Sequence, residues 1–430
     1  MAMTSRRQFL QVASASTVAA LSPTFARAQT TSATASAPVQ IGFMGLNGRG
    51  QALIDAFLAT QRTQVRWLAD VDRRALESAG KRVHARQSQP FQVTHDFRRA
   101  LEDPQLDALV IAAPVHWHAP AAILALQAGK HVYLEKPVSH NPQEGEWLVA
   151  AARQAGKVVQ VGLQRRSVPW VQEALDKVRS GELGPVRFTR AWYTNRRGSI
   201  GHGQSTPVPE WLDYSLWQGP APERPFQSNV VHYNWHWFWH WGAGELGNNG
   251  VHFLDLVQSA LQLPYPTRVL ASGSRDWFDD DQETPDTQIV TYEFPGAIVL
   301  WEHRSCLPLG LEGEATGIAF QGRDATLILG TQGYRILDPK GTVTHQASGD
   351  VPTVPHVHRF LDAMAQPDIQ PSAPVDEAHR ATLLCHLGNI AYRHRAPIEL
   401  DPTTGRPRND EVTARYWGRE YRNGWQPKVG

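Results

Sequence analysis

The chain has 430 residues, enough for two domains with cores of their own. At 41% apolar and 19% charged it is ordinary for a globular protein, and 42 basic against 41 acidic residues exclude the strongly basic surface that holds a nucleic acid. Two cysteines, Cys306 and Cys385, exclude a disulfide scaffold and point to two buried free thiols, or at most one bridge.

The elements are taken in chain order. Residues 1–28, "MAMTSRRQFLQVASASTVAALSPTFARA", hold two adjacent arginines, a modest apolar run and a small-residue Ala26-Arg27-Ala28 end. This is the layout of an export leader, and "SRRQFL" resembles the twin-arginine signal. The alternative is a basic tail with a short buried helix. The apolar run is too short and too rich in Ser and Thr to span a membrane, so no anchor is expected after cleavage. Removing the leader takes away three arginines and no acid, which leaves 39 basic against 41 acidic residues. Residues 29–37, "QTTSATASA", read as a polar tether. The expected location is the periplasm or another exported compartment.

"VQIGFMGLNGRG" (39–50) starts as a strand, turns on glycines and runs into the helical pattern "GQALIDAFLAT". That is the setting of a dinucleotide turn, with Gly45, Asn47 and Gly50 at the three places of G-x-G-x-x-G and Gly48 adding room. Backbone amides there can cradle a pyrophosphate, with Arg49 adding charge or facing solvent. The next strand ends at Asp70, twenty residues beyond Gly50, where a carboxylate accepts from a ribose hydroxyl and repels a 2′-phosphate. NAD is therefore favoured over NADP, unless Asp70 or Asp72 merely caps the following helix.

Strand "LDALVIAAP" (107–114), helix "HWHAPAAILALQAGK", strand "HVYLE", helix "NPQEGEWLVAAARQAGK" and strand "VVQVGLQ" continue the alternation. Together they imply a parallel sheet with helices on both faces, over residues 38–162. Ligands of such sheets lie beyond the strands' carboxyl ends, so Ala113-Pro114 and Glu135-Lys136-Pro137 should border the nicotinamide. A lysine ammonium at a buried strand end is costly unless something needs it.

From about residue 184 the pattern changes to strands, several alternating: 186–194, 267–278, 287–294, 297–305, 316–322 and 325–331. Helices at 171–181, 250–263, 355–366 and 376–395 interrupt them. Residues 163–430 therefore read as an α+β domain with a large, mainly antiparallel sheet. The richest stretch is "NVVHYNWHWFWHWGAGELGNNGVHFLD". His232, His236 and His240 at i, i+4 could hold zinc if helical. The alternating tryptophans suit an aromatic carbohydrate cleft or simple core packing. His252 has an unperturbed pKa suited to proton transfer near neutrality, or else packs its helix.

"AAP…HWHAP…AGKHVYLEKP" and "GELGNNGVHFLD" resemble segments of the Gfo/Idh/MocA oxidoreductases, and the likeness runs over residues 38–427. The Trp-rich stretch, "WEHRS" and "HLGNIAYR" resemble an exported bacterial branch. The resemblance implies an N-terminal Rossmann domain carrying the dinucleotide and a C-terminal domain whose sheet pairs copies into a homo-oligomer. It implies that Lys136 orients a sugar hydroxyl and assists proton transfer, that His252 belongs to the acid–base pair, and that His118 lies near the nicotinamide. Where the family often has Asp, four residues before that histidine, this chain has Asn248. An amide orients substrate but takes no proton, which makes His240 a further candidate for proton handling.

The expected catalytic set is Lys136, His252, Asn248 and His240, with no metal. The expected cofactor set is Gly45, Asn47, Gly48, Arg49, Gly50, Asp70, Ala113, Pro114, His118, Glu135 and Lys136. The function expected is hydride transfer from a sugar or sugar derivative to NAD that stays bound and is recycled internally, since free dinucleotide is scarce outside the cytoplasm. The rivals are an NAD-dependent glycoside hydrolase that transiently oxidises a ring hydroxyl, a non-catalytic carbohydrate-binding protein, and a metallohydrolase using the three histidines.

Overall fold

The computed structural model describes residues 37–429. The leader expected at 1–28, and all of the tether except Ala37, lie outside the described residues. Six strands form the first sheet: β1 (Val39–Met44), β2 (Thr63–Ala69), β3 (Gln92–Thr94), β4 (Ala108–Ile111), β5 (His131–Leu134) and β6 (Val159–Val161). They are parallel in the order β3-β2-β1-β4-β5-β6. The chain reverses direction across the sheet between β1 and β4, which opens a crevice at their carboxyl ends. All four residues of β4 are fully buried because helices cover both faces. The helix Pro142–Ala155 shows the local logic of these elements. Asn141 caps its start by accepting from the Glu144 amide, and Gly156 ends it at φ 59°.

The second sheet has nine strands: β7 (Val186–Thr194), β8 (Arg268–Ser274), β9 (Thr287–Phe294), β10 (Ala297–Arg304), β11 (Thr316–Gly322), β12 (Thr326–Leu329), β13 (Gly333–Leu337), β14 (Val343–Ser348) and β15 (Ile398–Glu399). Their order is β14-β13-β12-β11-β7-β10-β9-β8-β15, antiparallel except where β7 runs beside β10. Pro295-Gly296 closes the β9–β10 hairpin, with Gly296 at the positive φ of 81° that such a turn requires. One face packs on the helices Pro169–Arg179, Val251–Leu261 and Val375–His394. Alternation sends Val290, Tyr292 and Phe294 inward and leaves Ile289 and Ile298 exposed on the other face. A late helix, Val354–Ala365, returns to the first domain and places Phe360 against Phe57 and Tyr133.

Two segments cross from the second domain to the first. Residues 195–245 form a roof that docks on the end of β2. Leu212 bridges to Asp72, Trp211 accepts from the Arg73 amide at 2.9 Å, and Asp213 donates to Val71 O at 3.0 Å. Residues 417–429 form a strap beneath the same wall. Arg419 donates to His116 O at 2.7 Å and pairs with buried Glu144 at 2.6 Å, while Arg422 binds Pro220 O and Glu223. Trp425 meets Trp117 edge-on at 5.4 Å. Cys385 is buried and Cys306 only half-buried; both are free. No helix among the described residues is long and apolar enough to cross a membrane.

Candidate active site

A cavity of about 590 Å³ lies at the crevice between the sheet ends and the roof. Its floor begins with the glycine turn. Gly45 has φ 85°, and a Cβ there would stand 2.6 Å from the Ala112 backbone. A Cβ on Gly50 would stand 2.0 Å from Gly45 O, so both glycines are required for the turn to seat on β4. Gly48, at φ 44°, has nothing within 4 Å of its absent Cβ, and no side chain caps the helix Arg49–Ala59 that starts there. An open helix N-terminus over a tight turn is a cradle for a pyrophosphate. Gly50 lies under the turn and does not line the cavity, whereas Gly45, Asn47, Gly48 and Arg49 do. Arg49 turns its Nε to Glu135 Oε1 at 2.7 Å and leaves one terminal nitrogen buried without a partner.

Asp70 also lines the cavity. Its Oδ2 accepts from the Leu46 amide at 2.7 Å and its Oδ1 from the Asp72 amide at 2.8 Å, tying the end of β2 to the glycine turn. Burial pushes its pKa up, against those two amides. The capping role falls to Asp72, which accepts from the Arg74 amide. Asp70 is therefore left at the cavity wall with lone pairs to spare, where an adenosine ribose would lie. The cradle, the open helix end and this carboxylate fit a dinucleotide.

At the other end Ala113, Pro114, Glu135 and Lys136 emerge from β4 and β5, as the sheet rule requires. Lys136 Nζ donates to Asn248 O at 2.7 Å and to Asn248 Oδ1 at 3.1 Å. Two of three ammonium donors are thus spent. Burial lowers the Lys136 pKa from its ordinary value; Glu135 and Glu245 oppose that and Arg49 adds to it. Asn248 sits on a one-turn π-helix, Leu246–Gly250, directly before the helix Val251–Leu261 that carries His252. The wide turn brings both residues into the same cavity, a frequent use of π-turns.

His252 Nδ1 is buried without a partner, and burial followed by the charges of Lys136, Arg165 and Arg49 pushes its pKa well below the ordinary value. The neutral-pH titration expected of His252 is thereby corrected. Near neutrality the ring is therefore uncharged, with Nδ1 available for a hydrogen bond. His118 lines the cavity, but its Nδ1 faces Pro137 O at 2.6 Å and its Nε2 faces Ala113 O at 2.8 Å. A neutral ring donates to only one of these carbonyls, so His118 is held between the two strand ends by one hydrogen bond and leaves no nitrogen facing the cavity.

Family models match this architecture in both halves: an oxidoreductase-family NAD-binding Rossmann fold at residues 39–163 and the same family's C-terminal alpha/beta domain at 188–300. The chain belongs to the Gfo/Idh/MocA oxidoreductase family. NAD is its cofactor, bound in the first domain. The chain is 26% identical over 193 residues to levoglucosan dehydrogenase of Pseudarthrobacter phenanthrenivorans, 43% of each protein. It is 25% identical over 163 residues to a glycosyl hydrolase family 109 protein of a Shewanella species, 36% of this chain and 35% of that one. These alignments span less than half of either relative. The WlbA dehydrogenase of Bordetella pertussis, solved with NADH and UDP-GlcNAcA, has the same fold at TM-score 0.65 and 18% identity, over 85% of this chain and 98% of that one.

Within this Gfo/Idh/MocA frame the histidine–tryptophan stretch divides its labour. Residues 232–240 are not one helix; only a 3-10 turn, Asn234–Trp237, forms. The i, i+4 spacing therefore does not converge. His232 Nε2 pairs with Asp72 at 2.8 Å, His236 Nδ1 with Tyr233 O at 2.6 Å, and His240 Nε2 with Pro222 O at 2.8 Å. Among the described residues no cluster of three His, Cys, Asp or Glu is set to hold a metal. His240 is corrected as a catalytic candidate, because it lies outside the cavity and stacks edge-on against Trp241. Trp241 joins a small core under the roof, whereas Trp235 lines the cavity. Sequence reasoning missed Trp117, Trp217 and Gln164 as lining residues, Gln164 with a buried, unpartnered Oε1. Trp117 and Gln164 lie in the turns that follow strands β4 and β6, so the strand-end rule was the signal available for them.

Proposed function

We propose that the protein oxidises a hydroxyl of a sugar or sugar derivative by hydride transfer to a dinucleotide that stays bound between turnovers. The observation that carries this reading is one cavity lined by the glycine turn, Asp70, Lys136, Asn248 and His252. NAD, when bound, supplies the hydride acceptor. Lys136 Nζ, with its pKa lowered and its third hydrogen-bond position free, takes the hydroxyl proton as the C–H bond breaks. Asn248 fixes that amine through two oxygens. The neutral His252 ring offers a hydrogen bond to the substrate and takes up no charge of its own. Trp117, Trp217 and Trp235 supply apolar faces for a sugar ring and exclude water. The levoglucosan dehydrogenase likeness supports the substrate class.

Retention of the dinucleotide is supported by the roof. It is fastened beside Asp70 through His232 and Asp72, and beside Pro114 through Trp117 Nε1, which donates to Trp217 O at 3.0 Å. Export through the twin-arginine leader fits a cofactor loaded before transport. The open face of the second sheet, with Ile289 and Ile298 exposed, supports pairing of two copies. The likeness to the family 109 hydrolases supports a second reading, in which the oxidised sugar loses its glycosidic substituent before the hydride returns. Both readings are tested by incubating the purified protein with sugars and glycosides and no added cofactor. Reduced-dinucleotide absorbance appearing on the protein supports the first, and stoichiometric aglycone release the second. Neither response across hexoses, anhydrosugars and aryl glycosides refutes both.

A further inference from the structure

The segment between Gly242 and His252 contains one carboxylate, Glu245, three residues before the uncharged Asn248. Its side chain is 0% exposed. Every oxygen is engaged: Oε2 accepts from Arg197 Nε at 2.6 Å and Ser305 Oγ at 3.1 Å, and Oε1 from Arg197 at 3.3 Å and from Asn249 Nδ2. Arg197 lies over the Trp237 ring at 4.5 Å and donates to Tyr233 Oη at 3.1 Å. A buried ion pair needs this degree of satisfaction to persist, and breaking one partner is far more disruptive than removing both. The pair abuts the π-turn whose residue 248 holds the Lys136 amine.

We propose that Glu245 is a positioning residue that, with Arg197, holds the 246–250 turn through Asn249 and sets the electrostatic field at the Lys136 amine. The inference rests on Lys136 as the proton acceptor. The charged and titratable groups facing Lys136 come from several elements. Glu135 precedes it and is engaged by Arg49 of the turn helix. His118 and His252 feel its charge from their own helices, His236 from the roof, and Cys385 faces it from the helix Val375–His394. Glu245 is the carboxylate not already engaged by a cation of the first domain. Burial alone would raise its pKa, but Arg197, then His303 and Asn249, hold it below the ordinary carboxylate range, so it remains an anion. Without it, a desolvated amine already opposed by Arg49 would lose its proton at lower pH.

The test measures protonation directly. The full-length purified protein is labelled with trace acetic anhydride across a pH series, and acetylation at Lys136 is read by peptide mass spectrometry. Glu245→Gln is expected to lower the labelling midpoint by about one pH unit, roughly tenfold in the protonation constant. Arg197→Gln, which leaves the anion unopposed, is expected to raise it and serves if the first variant does not fold. The double variant, E245Q/R197Q, removes both charges and is expected to return the midpoint to within a few tenths of the parent's. An unmoved midpoint in either folded single variant overturns the proposal. A double variant displaced as far as E245Q overturns the electrostatic role, because it would mean that the lost contact to Asn249, not charge, moves the amine. Labelling needs no substrate. If no sugar reduces the bound dinucleotide, the functional reading fails while these midpoints still decide the role of Glu245.

Discussion

Replacing Gly50 by alanine tests the cofactor cradle at its tightest point. The added Cβ would stand 2.0 Å from Gly45 O and 2.9 Å from Gly45 C, so atoms must separate by about 1 Å. Gly45 cannot retreat, because its own backbone is pressed on Ala112, where a Cβ would meet carbonyl atoms at 2.6 Å. The strain resolves by moving the turn outward, into the space a pyrophosphate needs. Overpacking of this kind costs about 1–3 kcal/mol. Charged to binding at about 1.4 kcal/mol per decade, that weakens dinucleotide affinity roughly 5- to 140-fold. The assay is the molar ratio of dinucleotide released on denaturing the purified protein, repeated after successive desalting steps. Gly80→Ala is the control. Its Cβ would meet only Phe91 at 3.7 Å, inside a helix, so it should gain about 0.5–1 kcal/mol of stability and keep its dinucleotide. A folded Gly50→Ala protein with undiminished, non-exchanging dinucleotide would refute the placement of the cradle.

Lys136→Met should cut hydride transfer by about 10²–10⁴-fold while the dinucleotide stays bound, and near-parental turnover would remove the amine from the chemistry. In the parent protein the neutral amine is the active form, so the transfer rate should rise with pH through a midpoint below the ordinary lysine value of 10.5; a midpoint at or above 10.5 contradicts the buried site. Asp70→Ala should loosen NAD and raise relative affinity for NADP, read by competitive titration of the stripped protein; an unchanged preference returns Asp70 to a purely backbone-tying role. Burial depresses His356 and His379 to about 4 and His386 to about 3. The unfolded chain therefore binds more protons than the folded one between those values and the ordinary 6.5. The stability these neutral rings contribute is fully present above pH 6.5 and lost as pH falls, by about 1.4 kcal/mol per ring per pH unit. Urea midpoints that do not decline from pH 6.5 to 5 would contradict this.

The first sheet was legible because β4 and β5 are continuous apolar runs bounded by glycine and proline, and such runs have few alternatives. β3 and β14 were not, since their side chains are largely exposed and they join their sheets mainly through backbone pairing. Lys136 and His252 could be picked from sequence because an ion or imidazole at an element boundary is chemically conspicuous. The zinc reading failed because i, i+4 spacing has meaning only on a helix, and His240, taken up to replace the acid missing at Asn248, is turned instead to Pro222 O and the edge of Trp241. Glu245 escaped notice because its partners Arg197 and Ser305 lie 48 and 60 residues away, a proximity that only β7 and β10 create.

The strap at 417–429 has a consequence for the order of assembly. Every surface it braces, from Trp117 to Pro220, is synthesised well before it. A chain that stopped after the helix Val375–His394 would leave Trp117 without Trp425 and Pro220 O without the Arg422 amide, so the brace on this wall can form only when the last residues have been made.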